Sequence, residues 1–220
     1  MSKPNPNDRS ARPAPPKSAA RENAESLIWA VVLMLIIRVF LVQAFRIPSE
    51  SMVETLLVGD FLFVNKVEYG PKLPFTHVRL PGLRKPHTGD IIVFQFPGDP
   101  SVDYIKRCIA TEGQTVEIRH KQVFVNGKAL VEPYARHIDP TDLPATVSPR
   151  DNLGPFTVPP GCLFMMGDNR ENSNDGRFWG FVPMDNVKGR AMFLYFSTAA
   201  EHWWDMFLHI RWDRFFRVLH

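Results

Sequence analysis

Ser51, in the stretch 47–52, is the candidate nucleophile of this chain. A serine hydroxyl is nearly inert at neutral pH unless a base removes its proton, so Ser51 can do chemistry only if the chain supplies that base elsewhere. Two further polar stretches lie between apolar segments, at 103–107 and 167–183. Taken alone, each has an ordinary structural explanation, as a charged strand face or a solvated turn. Any chemical prediction must therefore come from the three stretches together.

The composition excludes several other kinds of site. The chain has 220 residues, 45% of them apolar, which is enough for a sizeable core. Its net charge is only +3 and no block of Lys and Arg is present, so we expect no nucleic-acid partner. The histidines lack the spacing of a zinc site, so we expect no metal. Cys108 and Cys162 are either two buried hydrophobic residues or a disulfide.

A membrane segment precedes the candidate nucleophile. Residues 1–25 are rich in proline and polar residues, which predicts a disordered tail. The run 27–45 is apolar except for Arg38 and Gln43, and a helix of this length reaches about 28 Å, the thickness of the hydrocarbon layer. Arg38 costs about 2.5 to 3.5 kcal/mol near a helix centre, less than the roughly 4 to 8 kcal/mol that the apolar residues contribute. We therefore predict a transmembrane helix over 26–45.

A cleaved export signal is the alternative for this segment. The tripeptide 42–44 has a small-x-small pattern, but the apolar run exceeds the usual core of about 7 to 15 residues. We favour a retained, single-pass anchor. The positive-inside rule predicts a cytoplasmic N-terminus and sends the residues after the run across the membrane. The basic residues behind this prediction are Lys3, Arg9, Arg12, Lys17 and Arg21.

The remainder of the chain is typical of a mainly β protein. Short apolar segments bounded by Gly, Pro and Asp predict strands at 61–67, 90–96, 104–110, 115–118, 122–125, 161–166 and 189–196. Asn126-Gly127 predicts a tight hairpin turn. Residues 201–220 combine aromatic residues with an arginine at every third position, which predicts an amphipathic helix. This helix would pack on the β core or, as we favour, lie in the membrane interface.

The three polar stretches and the segments between them contain a series of short motifs in a fixed order. These are Pro48-Ser49-x-Ser51-Met52, Thr55-Leu56, Gly59-Asp60, Gly89-Asp90-Ile91, Asp103-Tyr104-Ile105-Lys106-Arg107, and a Gly-Asp-Asn-Arg stretch that ends in Trp179-Gly180-Phe181-Val182-Pro183. Together they resemble the bacterial type I signal peptidases, membrane-anchored serine proteases that remove signal peptides from exported preproteins. The resemblance implies an antiparallel β catalytic domain over 46–110 and 161–200, with a smaller β-rich cap inserted at 111–160. Residues 111–160 themselves carry no family signature.

The resemblance also implies a role for each matching residue. Ser51 would be the nucleophile and Lys106 the general base, whose pKa burial must lower by about 3 units from about 10.4. The Ser49 hydroxyl and the Ser51 N–H would form the oxyanion hole, and Ser173 would orient Lys106. Charged residues would pair to support the site, and apolar residues would line pockets for small substrate side chains. The support residues are Arg107, Asp168, Asp175 and Arg177, and the pocket residues are Ile47, Pro48, Val93, Tyr104 and Ile105.

The implied function is cleavage of signal peptides after Ala-x-Ala-like sites, on the periplasmic side of the bacterial inner membrane. We expect a monomer whose partners are preprotein signal peptides and membrane lipid, with no cofactor. Glu50, where many members have glycine, and Gly176, where serine is common, depart from the family pattern. The alternatives are a specialised processing peptidase or a self-cleaving regulator with the same Ser-Lys chemistry, and an inactive membrane-tethered β module. A Ser-His-Asp hydrolase would instead use His77, His87 or His120.

Overall fold

The structure of the protein is a computed structural model that describes residues 19–73, 76, 78–200, 202 and 204–219. The chain divides into two compact units between Ile37 and Arg38. Most of the predicted tail lies outside the described residues, but the prediction is wrong for 19–25, which are helical. These residues include good helix formers and an i,i+4 ion pair between Arg21 and Glu25 at 3.0 Å.

The first unit contains helix α1, Ala19–Ile36, which is followed by a π-helical turn, Ile37–Leu41. Within the part of the chain that the structure describes, Ala19–Leu41 is the one segment long and apolar enough to cross a membrane, by length and composition. None of the residues of α1 is buried by the protein. The predicted bounds of 26–45 are therefore wrong at both ends, because the helix starts earlier and residues 42–46 form a strand.

The second unit is built from antiparallel strands, so the predicted mainly β fold is confirmed. One sheet has the order β1-β2-β11-β3-β4-β9-β10, and a smaller sheet has the order β7-β6-β5-β8. The strands are β1 Val42–Arg46, β2 Asp60–Asn65, β3 Ile91–Phe96, β4 Asp99–Thr111, β5 Thr115–Arg119, β6 Gln122–Val125, β7 Lys128–Ala129, β8 Leu153–Thr157, β9 Cys162–Met166, β10 Phe181–Pro183 and β11 Val187–Ser197.

Every strand predicted from the sequence has an observed counterpart, whereas β1, β7, β8 and β10 were not predicted. The smaller sheet occupies 115–157, inside the segment for which we expected a cap. Asn126 and Gly127 have φ values of 51° and 75°, as the tight turn between β6 and β7 requires. The predicted hairpin is therefore confirmed.

The large sheet contributes apolar side chains to three clusters, two of which matter for the candidate site. One lies under the candidate nucleophile and contains Ile47, Met52 and Leu56, while Phe94 and Cys108 belong to the other. Cys108 is buried and Cys162 is half-buried, and both are free thiols. The disulfide alternative is therefore wrong.

The C-terminal segment is not the predicted amphipathic helix. Among the described residues after 200, the chain forms turns and a short 3-10 turn, Trp212–Arg214, with no α-helix. Isolated bridges instead join Val218 to Phe193 of β11 and Ile210 to Thr198, the residue after β11. Hydrogen bonds to the sheet override the helical spacing of the side chains here, as tertiary contacts commonly do.

Candidate active site

Ser51 and Lys106 lie in direct contact although 55 residues separate them. Lys106 is on β4, paired in register with Ile92 of β3, and its Nζ donates a hydrogen bond to the Ser51 Oγ. Only 8% of Ser51 and 4% of Lys106 are exposed to solvent. Burial lowers the pKa of Lys106 to about 8, against the opposing carboxylates of Asp175 and Asp168. The contact therefore joins a serine hydroxyl to an amine that is readily deprotonated.

A tight turn presents Ser51 to the lysine. The Val53 N–H donates to the Glu50 carbonyl at 3.1 Å, and the Leu56 N–H donates to the Met52 carbonyl at 2.8 Å. The side chains of Met52 and Leu56 are fully buried and anchor this turn in the core. The two buried side chains that follow Ser51 thus fix the backbone of the turn, and the Ser51 hydroxyl is hydrogen-bonded to Lys106.

Asn169 holds the start of the same turn through two hydrogen bonds. Its backbone N–H donates to the Ser51 carbonyl at 3.1 Å, and its Nδ2 donates to the Glu50 carbonyl at 3.1 Å. We did not single out Asn169 from the sequence. Its place inside the Gly-Asp-Asn-Arg stretch was the only available signal. Asn169 thus links the stretch 167–183 to the backbone of Ser51.

Gly167 allows the two halves to approach each other. A Cβ at this position would lie 2.2 Å from the Ser173 Oγ and 2.5 Å from the Ser51 carbonyl oxygen. Ser173 is thus buried close to the nucleophile, but no hydrogen bond joins it to Lys106. Its hydroxyl has no hydrogen-bond partner among the described residues. The predicted orienting contact is therefore not formed in this structure, in which the Lys106 Nζ donates to Ser51.

A cleft of about 300 Å³ opens beside the Ser51–Lys106 contact. Of the predicted pocket residues, Pro48, Tyr104 and Ile105 line it, whereas Ile47 and Val93 do not. Those two side chains are buried in the core beneath it, so their assignment to the cleft wall is wrong. The Ser49 Oγ lies in the cleft 3.5 Å from the Ser51 Oγ. The lining also includes residues that were not predicted to be pocket residues, namely Glu50, Val102, Asp103, Asn172 and Asn174.

Arg107, the residue after Lys106, forms a buried ion pair with Asp168. The Arg107 Nε and Nη2 donate to the two Asp168 oxygens at 2.9 and 2.8 Å, a bidentate geometry. The Thr55 hydroxyl donates to the same carboxylate at 2.5 Å. The Tyr134 ring centroid lies 3.8 Å from the Arg107 guanidinium carbon. This pair therefore connects β4 to the end of the nucleophile turn and to the segment after β7.

Asp175 and Arg177 form the second buried pair. The Arg177 Nε and Nη2 donate to the Asp175 carboxylate at 2.9 and 2.8 Å, and the Gly167 N–H donates to it at 2.9 Å. Burial alone would raise the pKa of Asp175, but Arg177 and the Gly167 N–H hold it below its usual range. A charged Asp175 thereby caps the short helix α2, Gly176–Trp179.

The segment after β7 clamps the loop that carries Asn169 and Ser173. Arg170 is buried and pairs with Glu132, and the Arg136 N–H donates to the Asp168 carbonyl at 2.8 Å. The sequence suggested no role for 111–160. The structure shows that part of this region contacts the site directly.

One half of β4 leaves a hydrogen-bonding edge beside the cleft. Strand β3 pairs with Asp103–Arg107 on one side, but β9 pairs on the other side only from Arg107 to Thr111. In the described ranges, no strand continues this side of the sheet along 103–106. An extended peptide could therefore pair with β4 next to Ser51.

The histidines of the alternative mechanism are elsewhere. His77 lies outside the described residues. His87 contacts the Arg84 Nη1 at 2.7 Å, and His120 contacts Asp142, so neither side chain hydrogen-bonds Ser51. In the part of the chain that is described, no group of His, Cys, Asp or Glu side chains could hold a metal ion. Lysine is thus the base that the geometry offers to Ser51.

Comparison with known proteins gives a consistent family assignment. A family model described as signal peptidase, peptidase S26, matches residues 20–196. The signal peptidase I of Pseudomonas aeruginosa is 35% identical, with coverage of 80% of this chain and 72% of that protein. The probable signal peptidase I-1 of Synechocystis sp. is 39% identical, with coverage of 81% and 84%. The signal peptidase I of Aquifex aeolicus is 32% identical, with coverage of 80% and 84%. The resemblance seen in the sequence is confirmed, and the chain belongs to the signal peptidase family, peptidase S26.

Proposed function

We propose that the protein is a membrane-anchored endopeptidase that cleaves N-terminal signal peptides from preproteins after small residues. Ser51 is the nucleophile and Lys106 the general base. The observation that carries this proposal is the buried hydrogen bond between the Lys106 Nζ and the Ser51 Oγ. The reaction class is supported by relatives named signal peptidase I, which this chain matches over most of their length.

The reaction needs a neutral Lys106. Its Nζ takes the Ser51 proton as the Oγ bonds to the scissile carbonyl carbon, and negative charge moves to the carbonyl oxygen. Collapse of this intermediate breaks the C–N bond, and Lys106 gives the proton to the leaving amine. Lys106 then deprotonates a water that attacks the acyl ester, and Ser51 regains its proton when the ester bond breaks. Because the pKa of Lys106 is about 8, roughly a tenth of the enzyme is ready at pH 7.

Two other serines serve this cycle. The Ser49 hydroxyl lies 3.5 Å from the Ser51 Oγ, where it and the Ser51 N–H are available to a developing oxyanion. Such a donor is typically worth about 3 to 4 kcal/mol in the transition state. The buried Ser173 hydroxyl, without a partner among the described residues, accepts from the Lys106 ammonium after the proton has moved. Arg107 with Asp168, and Arg177 with Asp175, fix the loops that hold these groups.

The substrate binds as an added strand. The free side of β4 over 103–106 supplies main-chain hydrogen bonds to any extended peptide. Selection then depends on the cleft, whose volume of about 300 Å³ accommodates small side chains beside Pro48, Tyr104 and Ile105. Alanine on both sides of a variable residue fits this arrangement.

The apolar helix is a retained anchor that leaves the catalytic domain on the periplasmic side. Residues 42–46 form β1, in which Ala44 pairs with Phe63 of β2. A cut after Ala44 would divide a strand of the main sheet, which argues against a removable signal. The family match also begins at residue 20, inside the helix.

Membrane lipid is the second partner, at the C-terminal surface. Trp204, Phe207, Leu208, Trp212 and Phe216 are large apolar side chains that are exposed. Trp and Phe next to arginine are the residue types that favour the headgroup region. The segment does not form the predicted amphipathic helix, but it still exposes aromatic and apolar side chains together with arginines.

Cleavage of a preprotein with an Ala-x-Ala site tests the proposed dyad. Full-length protein in detergent should cut at this site, whereas Ser51→Ala and Lys106→Ala should lose at least about a thousandfold in kcat/KM. Lys85→Ala removes an exposed lysine with one surface ion pair and should leave the rate unchanged. The products are identified by mass spectrometry.

An uncut preprotein, or a Lys106→Ala variant that cuts as well as wild type, contradicts the proposal. Loss of activity in folded His87→Ala or His120→Ala would restore the histidine alternative. Cleavage confined to sites other than Ala-x-Ala would indicate a specialised processing peptidase.

A further inference from the structure

The last described residues form a strap, 204–219, that returns along β11. The Leu194 N–H donates to the Arg217 carbonyl at 3.0 Å, and the Phe216 N–H donates to the Leu194 carbonyl at 2.8 Å. Strand β3 pairs with β11 only from Val187 to Arg190, so the strap lies along a part of β11 that β3 leaves open. Leu219 enters the core cluster beneath Ser51. The strap is therefore integrated into the catalytic unit.

Arg214 is the polar centre of the strap, and only 5% of it is exposed. Its Nε and Nη2 donate to the two oxygens of Asp60 at 3.0 and 2.6 Å. The same Nη2 donates to the Thr55 carbonyl at 3.1 Å. The Arg214 guanidinium thus hydrogen-bonds both the end of the nucleophile turn, at Thr55, and the first residue of β2, Asp60.

Asp60 extends this grip to a third point. Its carboxylate accepts the Leu57 N–H at 2.8 Å and the Ser197 hydroxyl at 2.6 Å. Gly59 makes this close approach feasible, because a Cβ there would lie 2.0 Å from the Thr198 carbonyl oxygen. The Gly59-Asp60 pair in the sequence therefore has a geometric role: it ties the nucleophile turn to β11 and the strap.

We propose that Arg214 is a positioning residue for Ser51, and that the C-terminal strap is part of the machinery that aims the nucleophile. Arg214 and Asp60 hold the C-terminal end of the turn that contains Ser51, at Thr55 and Leu57, whereas Asn169 holds its start, at Glu50 and Ser51. The inference rests on the proposed role of Ser51 as nucleophile. A displacement of about 1 Å at a reacting atom can lower a rate by about a hundredfold, so loss of this grip lowers kcat even in a folded enzyme.

The test compares full-length wild type, Arg214→Met, Arg214→Lys and Arg217→Met in one detergent, with an Ala-x-Ala peptide as substrate. Arg217 is the matched control because it lies in the same strap, is exposed, and has no side-chain hydrogen bond or ion pair among the described residues. The values of kcat and KM are measured across pH, at a temperature well below each unfolding midpoint. At such a temperature the variants stay folded, so a change in kcat reports the position of Ser51 and not a loss of folded enzyme.

Arg214→Met should lower kcat at least about tenfold with KM nearly unchanged, and Arg214→Lys should recover part of the loss. The rising limb of the pH profile should stay in place, because Arg214 is not among the charges that act on Lys106. Arg217→Met should behave as wild type.

A folded Arg214→Met with wild-type kcat, or an Arg217→Met with the same loss, overturns the proposal. If Arg214→Met does not fold, Arg214→Lys and Ser197→Ala decide, and wild-type kcat in both is the overturning result. Wild-type protein that cuts nothing contradicts the proposed function, and the strap then has no nucleophile to position.

Discussion

As the proposed general base, Lys106 must lose its proton before it can accept one from Ser51, and its buried position on β4 favours the neutral form. Burial lowers the pKa of Lys106 to about 8, so the neutral fraction rises tenfold per pH unit below that value and levels off above it. We therefore predict that kcat/KM rises with a slope of one up to about pH 8 and then reaches a plateau. Initial rates of peptide cleavage between pH 5.5 and 9.5 measure this limb.

Arg at position 106 is the control for charge. A guanidinium stays protonated over this whole range, so Lys106→Arg should be inactive at every pH. A wild-type limb centred near pH 6.5 would point to a histidine and would contradict the lysine base.

Motif order indicated Ser51 and Lys106, and the structure brings these two side chains into contact, whereas the motifs did not indicate how deeply a side chain is buried. Ile47 and Val93 match pocket positions in the family pattern, yet both are buried in the core beneath the cleft. A motif gives the sequence position of a residue, but whether its side chain faces substrate depends on the packing around it. Asn169 shows the converse, since its contacts with Ser51 depend on a turn that the sequence does not specify.

At the scale of elements, the segment after β7 is tied to the active-site loop by the buried pair of Glu132 and Arg170. We predict that Glu132→Gln lowers the free energy of unfolding by about 3 kcal/mol, because it leaves Arg170 buried without its counter-charge. Activity should fall as well, since Arg170 lies on the loop between Asn169 and Ser173. Chemical denaturation and peptide cleavage measure the two effects.

Glu117→Gln is the matched control, because Glu117 pairs with Arg119 on the exposed surface of β5 at 3.4 Å. An exposed pair contributes about 0 to 1 kcal/mol, so this variant should resemble wild type. Equal effects of Glu132→Gln and Glu117→Gln on stability and activity would show that the Glu132–Arg170 pair has no special role in holding the active-site loop.

Local patterns predicted strands well and predicted the two ends of the described chain poorly. Periodicity and turn residues indicated β2 to β6, β9 and β11, because each forms from a short apolar run between turns. The sequence 42–46 continues the apolar run of the helix, so composition could not separate β1 from the membrane segment. In the strap, the buried pairing of Arg214 with Asp60 opposes the apparent solvent face of the arginine series. Such long-range pairing has no local signal.

At the scale of the whole molecule, the exposed apolar surface of the strap should affect substrates in membranes more than substrates in solution. Phe207 and Leu208 are 72% and 80% exposed. We predict that Phe207→Ser with Leu208→Ser raises KM at least about fivefold for a preprotein inserted in vesicles, because apolar burial in lipid is lost. KM for a short soluble peptide should not change. Both are measured with full-length protein reconstituted in the same vesicles.

Leu83→Ser with Val131→Ser controls for loss of apolar surface elsewhere, as these side chains are 79% and 85% exposed. This variant should match wild type with both substrates. Similar losses in the two double variants, or an equal loss with the soluble peptide, would rule out a membrane role for the strap surface.

The proposed binding of substrate to the free side of β4 would also determine when cleavage can occur. A segment that adds to this edge must offer unpaired main-chain groups, and residues inside a folded domain have already used theirs. Cleavage thus competes with folding of the substrate, and a preprotein that folds up to its cut site becomes resistant. The free edge of β4 would therefore make cleavage depend on the folding state of the substrate. It could bind a preprotein segment that is still extended, but not the same segment once it has folded.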